Sequence, residues 1–203
     1  MMDILKRVKS DFRVLDAMRV SQDEKDRSHR RIVAAAARLV RERGLESTSV
    51  ADVMSEAGLT HGGFYRHFDT KDSLSAAALQ SAFGQIQSEL ASRLETTEPG
   101  AAVAGFHAHY LSEGHVSNPG IGCPIAALAG EVGRASETLK TAFGCGVNRL
   151  ITQLAMGMPG SESKRRAKAT RELAMLAGAV MIARASDPET ARAVLSACRA
   201  GSK

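Results

Sequence analysis

Thr48-Ser49-Val50-Ala51-Asp52-Val53-Met54-Ser55-Glu56-Ala57-Gly58-Leu59-Thr60-His61-Gly62-Gly63-Phe64-Tyr65-Arg66-His67-Phe68 decides the fold. Thr48 and Ser49 offer N-caps, and Asp52 stands three residues after Ser49, the spacing of a capping box. Val50, Val53, Met54 and Ala57 then give the apolar face of a short helix that Gly58 stops. Thr60 is placed to cap the next helix, with Leu59 able to close on Phe64 as a hydrophobic staple. Phe64 and Phe68, four apart, face the core, which leaves His61, Tyr65 and Arg66 turned outward and His67 near the end. Two short helices joined by Ala57-Gly58-Leu59-Thr60 have the dimensions of a helix-turn-helix, whose second helix enters a DNA major groove. Gly62 and Gly63 each disfavour that helix by about 1 kcal/mol relative to alanine. Glycines there allow close approach of another surface, either the DNA or the preceding helix.

Working outward, residues 27–43 carry Ile32, Ala35, Ala36, Leu39 and Val40 at helical spacing and end at Gly44. Downstream, Thr70 starts a helix with Leu74, Ala77, Ala78, Phe83, Ile86 and Leu90 on its apolar face, running to about residue 94 before Pro99-Gly100. Further helical segments are expected at 101–114, 124–134, 136–156, 162–185 and 188–199, separated by Asn118-Pro119-Gly120, Pro159-Gly160 and Asp187-Pro188. Alternating strand patterns are absent, so the expected class is all-α. A three-helix unit with the helix-turn-helix (27–74) precedes a second helical unit (75–203). Residues 1–26 form an extension with Ile4, Val8, Phe12 and Leu15 at near-helical spacing. It reads as a docking helix, as a basic arm at DNA, or as residues upstream of a true start at Met18.

Composition bounds the function. The 203 residues are 44% hydrophobic, 24% charged and 4% aromatic, ordinary for a helical globular chain. No apolar run reaches the roughly 18 residues of a membrane span and no signal segment is evident, so a cytoplasmic location without membrane partners is expected. Cys123, Cys145 and Cys198 lack the spacing of a disulfide framework or zinc site. The net charge of +5 suits a polyanion partner. Most of the excess, however, falls beyond residue 130, so the DNA argument rests on particular residues. His107, His109 and His115 do not share one helix face and no acidic cluster joins them, so neither a metal nor another cofactor is expected. The absence of a nucleotide loop, acid pair or triad points away from an enzyme. The remote alternative is a cysteine-dependent enzyme using Cys123 and a histidine of the 101–114 segment.

The stretch TSVADVMSEAGLTHGGFYRHFDTKDSL (48–74), preceded by RRIVAAAARLVRERG (30–44), resembles the TetR family of transcriptional regulators. Ala57-Gly58-Leu59-Thr60, Gly62, Tyr65-Arg66-His67-Phe68 and Lys71 carry the likeness, while His61 departs from the lysine frequent there. The resemblance implies a homodimeric, sequence-specific DNA-binding regulator, a repressor released from a palindromic operator by a small-molecule effector. By the same likeness Thr60, Tyr65, His67 and Lys71 would touch operator phosphates, and His61, Gly63 and Arg66 would lie near bases. Thr48, Ser49 and Gly62 complete the expected DNA-binding set. Lys71 also opposes the dipole of the helix it opens, a sign that a bound phosphate would reverse.

GIGCPIAALAGEVGR (120–134) resembles a ligand-domain stretch of a subset of such regulators. Phe83, Phe106, His107, Tyr110 and Met175 are candidate effector-lining residues. Ala169, Leu173, Leu176, Val180 and Ala183, with Ala191, Val194, Leu195 and Cys198, give two apolar faces for 162–185 and 188–199. The resemblance implies that these helices pair with the same two of a second chain, the alternative being a core within one chain. Cys123 precedes Pro124 at a helix N-cap, where the dipole favours a thiolate. This suggests an alternative regulator that senses electrophiles or oxidants through Cys123.

Overall fold

The computed structural model describes the backbone of residues 2–200 and the side chains of residues 22–200. Its elements are all helical: α1 (Met2–Arg43), α2 (Val50–Glu56), a 3₁₀ helix (His61–Arg66), α3 (Lys71–Thr96), α4 (Pro99–Tyr110), α5 (Glu113–Ser117), a 3₁₀ turn (Pro119–Ile121), α6 (Pro124–Val132), α7 (Glu137–Met156), α8 (Glu162–Ala185) and α9 (Pro188–Ala200). The all-α expectation holds, with three local differences. Helix α1 begins far upstream of residue 27; Ile4, Val8, Phe12 and Leu15 lie outside the described side chains. Pro99 opens α4 instead of merely breaking the chain, because proline fits the first turn of a helix, where its missing N–H has no partner to lose. The 101–114 segment divides at Leu111, and Ser112 caps α5 through the His115 N–H.

Two apolar clusters organise the chain. The first joins Ile32, Leu39 and Val40 of α1, Val53 and Met54 of α2, Phe64, Phe68, the amino-terminal half of α3, Leu128 and Val132 of α6, and Leu139 of α7. The second joins Ile86 and Leu90 of α3 with Phe106, Tyr110, Cys123, Leu150, Leu154, Leu173, Leu176, Val180 and Leu195. Helices α3, α6 and α7 contribute to both clusters, so displacement of any of them is felt in both.

The inward stripe of α8 differs from the expected dimer face. Ala169, Leu173, Leu176, Val180 and Ala183 are all buried within the chain's own core, as is Leu195 of α9. These residues satisfy the intrachain alternative. Beside exposed charged residues such as Arg171, Arg192 and Arg199, the outward surface of the same helices carries the exposed Ala174, Met181, Ile182 and Ala185 and the half-buried Gly178 on α8, and Ala193, Ala197 and Ala200 on α9.

Candidate nucleic-acid interface

The α2 end of the motif is built as its residues dictate. Ser49 Oγ accepts the Asp52 N–H at 3.1 Å, and Asp52 Oδ2 accepts the Ser49 N–H at 3.1 Å, a complete capping box. The Ser49 hydroxyl, donating to Asp52 Oδ2 at 2.5 Å, and then the Ser49 N–H hold the Asp52 carboxyl below its ordinary range. Gly58 takes φ +65, a left-handed conformation that turns the chain sharply after α2. The second helix is 3₁₀ rather than α: Gly63 N–H donates to Thr60 O at 3.0 Å and His67 N–H to Phe64 O at 2.9 Å. Two adjacent glycines remove the propensity that would sustain a longer α-helix. Thr60 occupies the cap position, but its side chain makes no capping bond.

Phe64 and Phe68 anchor the segment from below, their rings stacked at 6.0 Å. Leu59 packs against the same cluster, in keeping with the staple spacing. His61, Gly62, Tyr65 and Arg66 are exposed, Tyr65 to 70%. A Cβ added at Gly62 would meet nothing within 4 Å, and one at Gly63 would make ordinary contact with Met54. Packing against α2 therefore does not account for the glycine pair. His67 is partly buried beside His29, with ring centroids 5.9 Å apart. Burial, then the neighbouring charges of His29, Lys25 and Arg66, lower its pKa and favour the neutral ring.

Two expected contact residues have other work. Thr48 is 3% exposed and donates its hydroxyl to Gly44 O at 2.7 Å, so it stiffens the α1–α2 turn instead of facing solvent. Lys71 is exposed at the start of α3, and its Nζ donates to Glu46 O at 3.3 Å, which holds the cation near that turn.

Ties invisible in the local sequence join this unit to the rest. Arg41 is 4% exposed; it donates from Nη1 to Gly122 O at 2.9 Å and from Nη2 to Gln85 Oε1 at 2.7 Å. Desolvation pulls its pKa down to about 10, so it remains a cation. Glu131 of α6 accepts the Leu45 N–H at 2.7 Å, against the start of the α1–α2 turn. Gly44 adopts φ +91 there, and a Cβ on it would collide with the Glu131 carboxylate.

The expected effector residues do not meet in one cavity. Phe83 lines a cleft of about 680 Å³ between α3 and α7, with Gln80, Gln87, Cys145 and Arg149. His107 lines another of about 630 Å³ with Leu111 and Arg199. Its Nε2 lies 3.0 Å from Glu172 Oε2, and burial, opposed by that carboxylate, lowers its pKa. Phe106 and Tyr110 are fully buried, and Met175 packs against the same core.

Cys123 occupies the expected N-cap of α6, but its thiol is fully buried and burial pushes its pKa up, outweighing the nearby Tyr110 hydroxyl and the Ile125 and Ala126 amides. The expectation of a thiolate there is thus reversed by desolvation. His115 sits alongside: Nδ1 lies 2.6 Å from Tyr110 O, and Nε2 accepts the Cys123 N–H at 2.9 Å. Burial lowers the His115 pKa to about 4, so the ring is neutral and donates through Nδ1.

Residues 32–78 match the family model described as bacterial regulatory proteins, tetR family. The transcriptional repressor DhaR of Mycobacterium sp. (strain GP1) is 28% identical over 102 residues, covering 49% of this chain and 50% of DhaR. The repressor KstR2 of Rhodococcus jostii (strain RHA1) is 35% identical over 82 residues, 37% of this chain and 40% of KstR2. These alignments span half or less of each relative. The fold extends further: the crystal structure of E. coli NemR in its reduced form matches with TM-score 0.74 at 19% identity, over 87% of this chain and 95% of NemR. The helix-turn-helix segment, residues 32–78, is thus similar to that of the tetR family of bacterial regulatory proteins, and the all-helical fold around it is shared with NemR.

Proposed function

We propose that the chain acts as a homodimeric, sequence-specific DNA-binding repressor, released from a palindromic operator when a small molecule binds its helical carboxy-terminal domain. The observation that carries this reading is the presentation of the 3₁₀ segment. Phe64 and Phe68 are rooted in the core, while His61, Gly62, Tyr65 and Arg66 project into solvent with open space over Gly62. That arrangement suits a segment entering a major groove, where base edges are read at close range. Ser49, Thr60, Gly63, His67 and Lys71 flank it and are assigned to backbone contacts or close approach. Thr48 supports them from beneath. The names of DhaR and KstR2 as transcriptional repressors point the same way.

Release follows from the ties of Arg41 and Glu131. An effector occupying either cleft beside α3, α4 or α7 would shift helices that reach α6 or α1, and with them the spacing of the two recognition segments. Selection of bound duplexes from random DNA tests the reading. A palindromic consensus with half-sites about one helical turn apart is expected, and binding without sequence enrichment would overturn it.

A further inference from the structure

We infer that a second phosphate-binding surface lies beside the recognition segment, in the cleft between α1 and the end of the 3₁₀ helix, and takes the DNA backbone flanking each half-site. This rests on the operator reading above and adds residues outside the helix-turn-helix. The cleft has a volume of about 890 Å³ and is lined by Lys25, Arg27 and Arg31 of α1 together with Arg66 and His67, with Glu24 the acidic member. Lys25, Arg27 and Arg31 are exposed, and none has an ion-pair partner among the described residues. Arg27 donates only to a backbone oxygen, that of Asp23, at 3.3 Å. Further along the same helix Arg38 pairs with Glu42 and Glu56 and Arg41 is buried, while Arg43 is exposed but lies outside the cleft. Lys25, Arg27 and Arg31 thus stand without ion pairs among the described residues on the stretch of α1 that faces the recognition segment.

Their placement is fixed by packing. His29 stacks on Phe68 with centroids 4.8 Å apart, which seats α1 against the end of the 3₁₀ helix. Residues 24, 27, 28 and 31 then fall on one helix face, at i, i+3, i+4 and i+7. The Arg31 guanidinium lies over the helix-turn-helix turn, its Nη2 2.7 Å from where a Cβ on Gly58 would stand. A concave wall with four Lys or Arg side chains against one carboxylate focuses positive potential. Arg66 belongs both to this wall and to the exposed recognition surface, so a backbone strand bordering the groove read by that surface passes directly onto the cleft. His67 borders the same cleft, with a buried Nδ1 that has no hydrogen-bond partner among the described residues.

The test uses the full chain and a duplex carrying the selected operator, made long and also trimmed to the half-site edges. For the Lys25→Gln/Arg27→Gln double variant on the long duplex, the slope of log Kd against log salt should drop by about two, with base preference unchanged. On the trimmed duplex, wild type and variant should bind alike, and the charge-preserving Lys25→Arg/Arg27→Lys variant should keep the wild-type slope on both. Both substituted side chains are exposed, so thermal unfolding should be unaltered. An unchanged slope on the long duplex overturns the site. A deficit that persists undiminished on the trimmed duplex overturns its assignment to flanking DNA. Failure of the wild-type chain to bind any duplex would instead remove the operator reading, and this site with it.

Discussion

At Gly62 the free protein gives no packing reason for a missing side chain, since a methyl group would meet nothing within 4 Å. Gly62→Ala should therefore leave folding unchanged or stabilise it by up to about 1 kcal/mol, as thermal unfolding would show, while operator affinity falls about tenfold, equivalent to roughly 1.4 kcal/mol. Equal affinity would mean that DNA does not approach this position. His115 makes a different residue-scale prediction. Its folded pKa of about 4 lies below the ordinary histidine value, so as pH falls from about 6.5 the unfolded chain takes up the proton first. The His115 contribution is complete above that range and is lost as pH falls toward 4, by roughly 3 kcal/mol in all. Urea unfolding across pH 4–7 should show this loss, and His115→Gln should flatten the profile. At Cys123 burial has overridden the helix dipole, so the native thiol should react with a disulfide reagent only on the unfolding timescale, well after the exposed Cys145. Rapid native modification of Cys123 would restore the sensing alternative.

At the scale of elements, α6 is fastened toward both its ends. Gly122, just before it, accepts from Arg41, and Glu131, near its end, accepts the Leu45 N–H. Glu131→Ala would leave that amide without its partner and should destabilise the fold by about 1–3 kcal/mol. Chemical denaturation would read the loss, and the Leu45 amide should exchange faster in the native state. Glu131→Gln, whose side-chain oxygen can still accept, should recover most of both. Unchanged exchange in the alanine variant would show that the tie does not hold α6 to the turn. These ties also mark the limit of sequence reading. The Ser49–Asp52 box, the Gly58 turn and the Phe64/Phe68 pair were legible because each depends on residues within about four positions. Arg41 to Gly122 and Leu45 to Glu131 join residues 81 and 86 positions apart, and nothing local distinguishes Arg41 from its exposed neighbour Arg43. The same reason hid the burial of Thr48 and the raised pKa of Cys123, since desolvation is set by the whole core. The glycine pair announced something unusual, but spacing alone could not show that its helix is 3₁₀.

For the whole molecule, the proposed reading of two half-sites requires two chains, and the outward surface of α8 and α9 is suited to join them. Ala174, Gly178, Met181, Ile182 and Ala185 recur at i, i+4, i+7, i+8 and i+11 on α8, and Ala193, Ala197 and Ala200 at i, i+4 and i+7 on α9. A Cβ on Gly178 would meet open space, so a facing helix can approach closely there. Met181 and Ile182 are 41% and 50% exposed, large apolar side chains that a second copy would cover. The buried stripe behind them, Leu173, Leu176 and Val180, holds α8 in its own chain and is untouched by outward substitution. Met181→Glu/Ile182→Glu should therefore keep the far-ultraviolet helical signal and nearly the same Tm, yet sediment as a monomer at concentrations where the wild type is dimeric. Without its tethered twin each recognition segment loses the effective concentration of the second half-site, so operator affinity should fall by on the order of a hundredfold or more. Binding to an isolated half-site should change little, which separates loss of the dimer from damage to the DNA-reading surface. A double variant that still sediments as a dimer would place the two-fold axis on another face, and the spacing of the recognition segments would have to be rebuilt around that face.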